Sequence, residues 1–570
     1  MPPPSPDFAH PYLTKQIIAY IGNKRRLLPL IHQAIVQSLG HTRTAGLAFI
    51  DLFAGSGAVS RMAKHLGFRV LCNDWEPYAS VINGAYIEID RKDLPGMFRE
   101  HGGIEGILRV LNALPDPAPG DQYIARHFSP SSEETEGVDH RRERMFYTRR
   151  NGLAIDGIRN AIEELYPGDP LGLDGSEGGR EKTILLALLL YEAATHTNTS
   201  GVFKAYHKGF GGHGRDALGR ILAPVELEPP VLIDSAQRAE VFGEDANRLL
   251  LSEALKDRVF DVAYLDPPYN QHQYGSNYHL LNTIALWDKP AVSCRLNRAG
   301  TLDEKAAIRK DWIATKSAYC SRASAPKVLE SLLGNLTARR ILLSYSTEGI
   351  IPLEELLALC ERKGRVELLT NEYVKYRGGR QSIRRLNRNL EFVLIIDAES
   401  QSTPKSSADI GTLLRKKRLA LLFDKRYSLE RLERNFIVER DSGTLRLAGV
   451  ALTIETRDFF ELIPPSGIEG LGGEQITLLI ERLEQSACRD REEELAEILR
   501  KIGEGEGDRR FLVRLVPGTL RKFAHSKYRG KFLDWLGRVK EAGRADPGLY
   551  SLIEDRLRKL EDVAWKRFTG

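Results

Sequence analysis

The sequence predicts an α/β protein built on a doubly wound, mostly parallel sheet, carrying an inserted module and followed by a helix-rich C-terminal domain. Three observations predict it. First, an apolar strand from Leu47 to Phe53 passes through the small-residue turn Ala54-Gly55-Ser56-Gly57 into a helical pattern ending near Leu66, with Gly67 as its stop. A second strand, Phe68 to Asn73, ends at Asp74 and completes a β-turn-α-β unit of about 30 residues. Second, the alternation stops between residues 90 and 235, where polar sequence and glycine-rich loops surround some helical segments, and it resumes at Ala239. Third, from residue 408 onward the pattern is helical and charged.

The elements follow in order. Tyr20 to Lys24 lead into a helical pattern that runs through Leu39. After the opening unit and the interruption, strands are expected at Ala239–Phe242, Val259–Leu265, Arg340–Tyr345, Val366–Thr370 and Leu390–Ile396. The last two flank a basic block as a hairpin pair. We read residues 12–90 and 236–397 as one catalytic domain and 91–235 as its insertion. The polar run 398–407 is a linker, and 408–570 is a separate domain for which DNA binding and partner binding both stay open. A chain of 570 residues is too long for a single core, which agrees with this division.

Hydrophobic and charged contents of 42% and 28% match ordinary globular proteins. The longest apolar run, Thr183 to Tyr191, falls short of the roughly 20 residues that span a bilayer and reads as a buried helix. The segment Met1 to Pro6 lacks the layout of a signal peptide, so a cytoplasmic protein is expected. Five scattered cysteines without a C-x-x-C pair exclude a zinc ribbon and a disulfide framework, and no metal site is expected. The net charge is only +5, but two stretches are locally basic. Lys375, Arg377, Arg380, Arg384, Arg385 and Arg388 form one block without an acid, and Arg509 to Lys531 is equally free of acids. Such blocks are either solvated surface or footprints for phosphates.

Two constellations carry chemistry. In Asp51-Leu52-Phe53-Ala54-Gly55-Ser56-Gly57, glycines at a strand-to-helix handover let a ligand approach the backbone. Asp74 stands about 20 residues on, at the end of the next strand, where a carboxylate accepts from ribose hydroxyls. A dinucleotide site fits that pattern too, although the third glycine of its fingerprint is missing. The second constellation is Asp266-Pro267-Pro268-Tyr269, which follows a buried strand and so lies at the carboxyl edge of the sheet. Consecutive prolines hold this turn rigid. An exocyclic amine is a poor nucleophile, because its lone pair is delocalised into the ring. Acceptors at the Asp266 carboxylate and the Pro267 carbonyl would draw on its hydrogens and free the lone pair for methyl transfer. Tyr269 would offer an aromatic face to a base removed from the stack.

These residues occur in an order that resembles the Dam-like class of DNA adenine-N6 methyltransferases. The match comprises Tyr20-Ile21-Gly22-Asn23-Lys24, Asp51 to Gly57, Asp74, the segment Asn198 to Lys204, the turn at Asp266, then Lys375-Tyr376-Arg377-Gly378-Gly379-Arg380 and Glu391 to Ile396. It covers residues 12 to 397. The resemblance implies a class I methyltransferase fold, S-adenosylmethionine as cofactor and double-stranded DNA as substrate. By the same similarity Tyr20, Gly22, Asn23 and Lys24 would lie along the methionine end of the cofactor, Asp51, Phe53, Ala54, Gly55, Ser56 and Gly57 would wrap its middle, and Asp74 would take the ribose. Asp245 would hold its adenine, with Glu244 as the neighbouring alternative. Asn198, Lys204, Lys375, Arg377, Arg380 and Arg384 would face nucleic acid, and the insertion 91–235 would be the target-recognition module. Such an enzyme is compatible with a restriction-modification system, with a partner nuclease or with another defence protein.

Other readings remain. A cytosine-N4 methyltransferase shares the fold and chemistry, but its catalytic turn more often begins with serine; RNA and protein methyltransferases usually begin it with asparagine. A DNA-binding module with an inactive methyltransferase domain is the alternative from another class, against which the intact Asp266, Tyr269 and Gly55-Ser56-Gly57 speak.

Overall fold

The computed structural model describes residues 7–212, 217–346, 349–370, 391–401, 411, 415, 418–465 and 468–569. The chain divides into two compact units, 1–407 and 408–570.

The first unit is organised by a seven-stranded sheet. Its strands are β1 (Ala48–Asp51), β2 (Arg69–Asn73), β3 (Glu240–Phe242), β4 (Phe260–Leu265), β5 (Ala338–Ser346), β6 (Arg365–Thr370) and β7 (Glu391–Asp397), in the order β3-β2-β1-β4-β5-β7-β6. Five strands, β3 to β5 in that order, pair in parallel, and β7 runs antiparallel between β5 and β6. The expected doubly wound, mostly parallel sheet is therefore present, and its last two strands pair as anticipated. The central strands are apolar because both faces are covered; all of β1 and nearly all of β4 are buried. Chain order reverses direction at β1, whose neighbours are β2 and β4. That is the switch point where the carboxyl ends of parallel strands leave a crevice. Asp51, Asp74 and Asp266 end or follow these three strands.

Helices are set by local signals. Leu28–Leu39 has proline in its first turn and stops at Gly40, left-handed at φ 71°. Ala58–His65 starts directly after Gly57. The run Thr183 to Tyr191 lies inside the buried helix Gly179–Thr195, and no helix among the described residues is long and apolar enough to cross a membrane. Residues between 91 and 235 share one apolar core with the sheet, through Ile107, Phe128, Ile155, Leu185 and Leu189 among others. Arg61 fastens the N-terminal segment to this core. Its buried guanidinium donates to the carbonyls of Tyr12, Lys15 and Gln16 at 3.2, 3.1 and 3.0 Å and lies 3.6 Å from the Tyr86 ring centre.

The second unit contains more strand than its sequence suggested. A four-stranded antiparallel sheet in the order β11-β10-β9-β8 is made by β8 (Ile437–Glu439), β9 (Thr444–Arg446), β10 (Thr453–Arg457) and β11 (Glu461–Leu462). Strands of two to five residues leave too short an alternation to stand out among charged helices. The helices Arg491–Glu504, Arg509–Leu520, Arg529–Ala545 and Glu554–Thr569 enclose a separate apolar core.

Candidate active site

A cleft of about 780 Å³, open to solvent, lies at the switch point of the sheet. Of the residues expected to bind cofactor, Tyr20, Gly22, Lys24, Phe53, Asp74 and Asp245 line it, together with all four residues of the turn Asp266-Pro267-Pro268-Tyr269. Glu244 lines it beside Asp245, so the choice between the two stays open.

The remaining cofactor-site residues stand behind this wall. Asp51 is fully buried; its carboxylate accepts from Ser60 Oγ at 2.7 Å and from the Phe53 N–H at 3.3 Å, and burial pushes it up to about 7. It ties β1 to the following helix. Asn23 is a cap, accepting from the Arg25 N–H at 2.8 Å. The turn from Ala54 to Gly57 leaves no room for a side chain at either of its glycines. A Cβ on Gly55 would sit 3.0 Å from the Tyr20 ring, and one on Gly57 only 2.5 Å from Asn83 Oδ1, both at positive φ. Ser56 is buried within the same turn.

Asp74 holds that turn in place. Its Oδ2 accepts from the Gly55 N–H at 2.7 Å and its Oδ1 from the Glu76 N–H at 2.9 Å. A carboxylate has about four acceptor positions, so capacity is left for a ligand. Burial raises Asp74 to about 6 and Glu76 to about 7.

The turn after β4 is the other wall. Asp266 Oδ2 makes an ion pair with Lys24 Nζ at 2.8 Å, and the same ammonium donates to the Gly22 carbonyl at 2.9 Å. The second oxygen, Oδ1, is buried and has no hydrogen-bond partner among the described residues. Burial pushes the Asp266 carboxyl up to about 6, with the Lys24 charge opposing that rise and Glu391 adding to it. Burial also works against the charge of Lys24, but Asp266 and Glu391 outweigh it and lift the ammonium above its ordinary value. The Tyr269 hydroxyl reaches Glu391 Oε1 at 3.3 Å, and its ring stands edge-on to Tyr345 at 5.8 Å.

Sequence reasoning missed several of these residues. Tyr274 and Tyr278, one helical turn apart, stack on Tyr20 at 5.3 and 5.0 Å, and Tyr278 Oη accepts from the Ile21 N–H at 2.7 Å. They clamp the N-terminal motif against the catalytic turn, and their i, i+4 spacing after Asp266 was the available signal. Trp75, Glu76, Gln273, Thr315, Ser317 and Tyr319 also line the cleft.

The nucleic-acid expectations fare differently. Lys204 is exposed. Asn198 is fully buried, its amide donating to the carbonyls of Met145 at 3.0 Å and His207 at 3.4 Å and accepting from the Gly211 N–H at 3.3 Å. That geometry closes a loop and leaves no edge for a base. Lys375, Arg377, Arg380 and Arg384 lie outside the described residues.

Comparison with known proteins bears on this cleft directly. Residues 20–299 match the model of the D12 class N6 adenine-specific DNA methyltransferase family. The Type II methyltransferase M.NlaIII of Neisseria lactamica is 30% identical over 383 residues, which are 66% of this chain and 98% of that protein. This chain belongs to that family. Modification methylase LlaI of Lactococcus lactis subsp. lactis is 31% identical over 391 residues, 68% of this chain, but the chain spans only 56% of LlaI. Type II methyltransferase M.CviAII of Paramecium bursaria Chlorella virus 1 is 29% identical over 365 residues, 63% of this chain and 93% of that protein.

Proposed function

We propose that the protein is an S-adenosylmethionine-dependent methyltransferase acting on the N6 amine of adenine in double-stranded DNA, as the modification partner of a restriction system. The observation that supports it best is Asp266 Oδ1, a buried acceptor at the cleft without a donor among the described residues. Such a group is costly unless a ligand completes it.

The cleft suits the cofactor. Among the described residues four carboxylates (Asp74, Glu76, Glu244 and Asp245) line it beside the Asp266–Lys24 ion pair, a balance that favours a cationic ligand. Tyr20, Phe53, Trp75 and Tyr319 add apolar surface. Asp74 would accept from the ribose, and Asp245 or Glu244 from the adenine. S-adenosylmethionine supplies a methyl group on a sulfonium, which is electrophilic without further activation.

The chain's own residues then have defined tasks. Lys24 holds Asp266 by one oxygen and so presents the other to the target amine. Asp266 Oδ1 and the Pro267 carbonyl accept the two amine hydrogens, which frees the nitrogen lone pair. The nitrogen would form its bond to the methyl carbon as the sulfur–methyl bond breaks and a neutral thioether leaves, and the methylated nitrogen would then give up one proton to Asp266 Oδ1, which passes it to solvent. Tyr269, fixed through Glu391 and Tyr345, offers its ring to a base flipped from the duplex. Positioning supplies most of the acceleration. Radiolabelled cofactor incubated with plasmid DNA tests the reading: label should survive protease and be released by nuclease. Label that protease releases would point to a protein substrate.

Asp74→Ala should weaken cofactor affinity by about 1–3 kcal/mol, because charge-assisted hydrogen bonds are removed and the glycine turn loses its anchor. In the unaltered enzyme, affinity should fall as pH drops through about 6, where Asp74 takes up a proton. Titration calorimetry across that range checks both; an affinity unchanged by the substitution would make Asp74 purely structural.

A further inference from the structure

The acid-free run from Arg509 to Lys531 is untouched by the proposed chemistry and lies wholly in the second unit. Its two ends find acids elsewhere in the fold: Arg509 pairs with Asp546 at 2.6 Å, and Lys531 pairs with Glu492. Ion pairing is usual in this unit, as at Arg431 with Glu493, Arg500 with Glu497 and Lys540 with Glu561. Arg510, Arg514 and Arg521, between those ends, are not paired in this way. All three are exposed, and among the described residues none makes an ion pair.

Their spacing places them together. Arg521 follows the helix Arg509–Leu520 as its C-cap and keeps a helical conformation at φ −56° and ψ −28°. At 3.6 residues per turn the three side chains fall within a stripe about 40° wide, running roughly 16 Å along the helix. The opposite face holds Leu512, Val513, Val516 and Leu520, which are buried in the unit's core. The stripe therefore belongs to a helix whose orientation is fixed by packing.

Helix stability does not account for it. Arg510 sits in the first turn, at the positive end of the helix dipole, and that turn contains no acid. Arg510 and Arg514, four apart, also repel each other. Only Arg521, at the C-terminal end, gains from the dipole. Although Asp508 caps the start of this helix, Arg510 and Arg514 gain nothing from each other, and a row of exposed cations without an ion pair among the described residues suits an external anion of comparable length.

We propose that this stripe, extended by Lys522, Lys527 and Arg529 of the same run, grips the phosphate backbone of duplex DNA outside the catalytic cleft. The choice of DNA as polyanion rests on the function proposed above. Contacts of this kind position a duplex and release counterions without reading sequence. Binding of the full-length chain to a labelled mixed-sequence duplex should be followed by fluorescence anisotropy over a range of salt concentrations. Three proteins are compared: wild type, R510A/R514A/R521A and the charge-retaining R510K/R514K/R521K. Circular dichroism checks that the variants fold.

The alanine triple should bind more weakly, with a log affinity against log salt slope shallower by about 0.9 for each phosphate that is no longer neutralised. The lysine triple should keep most of the wild-type slope. Methylation at saturating DNA should be unchanged in all three. Wild-type binding itself tests the proposed function, so the two ideas fail separately. An alanine triple with wild-type affinity and slope would overturn the stripe. Unchanged DNA binding together with loss of poly-L-glutamate binding would overturn it too, and would assign the surface to an acidic protein.

Discussion

Asp266→Ala should lower methyl transfer by about a thousandfold while S-adenosylmethionine affinity stays within about threefold of wild type, the scale expected when one preorganised group is removed from a reacting centre. The reason is positional. One carboxylate oxygen is engaged by Lys24 at 2.8 Å, and the other is buried without a partner among the described residues. Cofactor binding falls instead to Asp74 and to Asp245 or Glu244 in the proposed arrangement. Turnover and cofactor affinity measured on the same preparation separate the two roles. Near-normal turnover would remove the turn from the chemistry, and loss of both would make Asp266 a cofactor ligand.

Lys24→Met should produce a different signature. An opposite charge at contact distance lowers a carboxyl by roughly 1–3 pH units. Asp266 already sits at about 6 through burial, with Lys24 restraining it and Glu391 pushing the other way. Removing the ammonium therefore moves the carboxyl upward, and the protonated, inactive form gains ground at neutral pH. The sign follows: activity rises with pH in both proteins, but the rise in the variant comes later. At pH 7 the variant should be slower by about twofold to a hundredfold for a rise of roughly 1–3 units, and most of the deficit should disappear near pH 9. A pH profile of kcat/KM checks this. A loss equally deep at every pH would mean that Lys24 acts on the cofactor alone.

Much of this site was legible in the sequence because its parts are local. A strand, a glycine turn and a strand-end carboxylate are contiguous signals, and so is a rigid proline turn after an apolar run. The parallel sheet followed from the same punctuation. What was hidden joins residues far apart in the chain. Lys24 meets Asp266 across more than 200 positions, and Glu391 meets Tyr269 across 122. The tyrosine stack on Tyr20 left only the i, i+4 spacing of Tyr274 and Tyr278 as a local trace, and nothing local to join that pair to Tyr20. Asn198 shows the reverse error: a polar residue within a recognised segment was expected to face DNA, yet its hydrogen-bonding capacity is spent on the backbone around it. The acid-free run in the second unit misled in a third way, since Arg509 and Lys531 acquire acids only on folding.

The most direct test of the central claim is the identity of the methylated base. DNA methylated by the purified protein with labelled S-adenosylmethionine, digested to nucleosides and separated, should carry its label in N6-methyladenine. The label should be absent when Asp266→Ala replaces the wild type. Label in N4-methylcytosine, or in any nucleoside other than N6-methyladenine, would contradict the account.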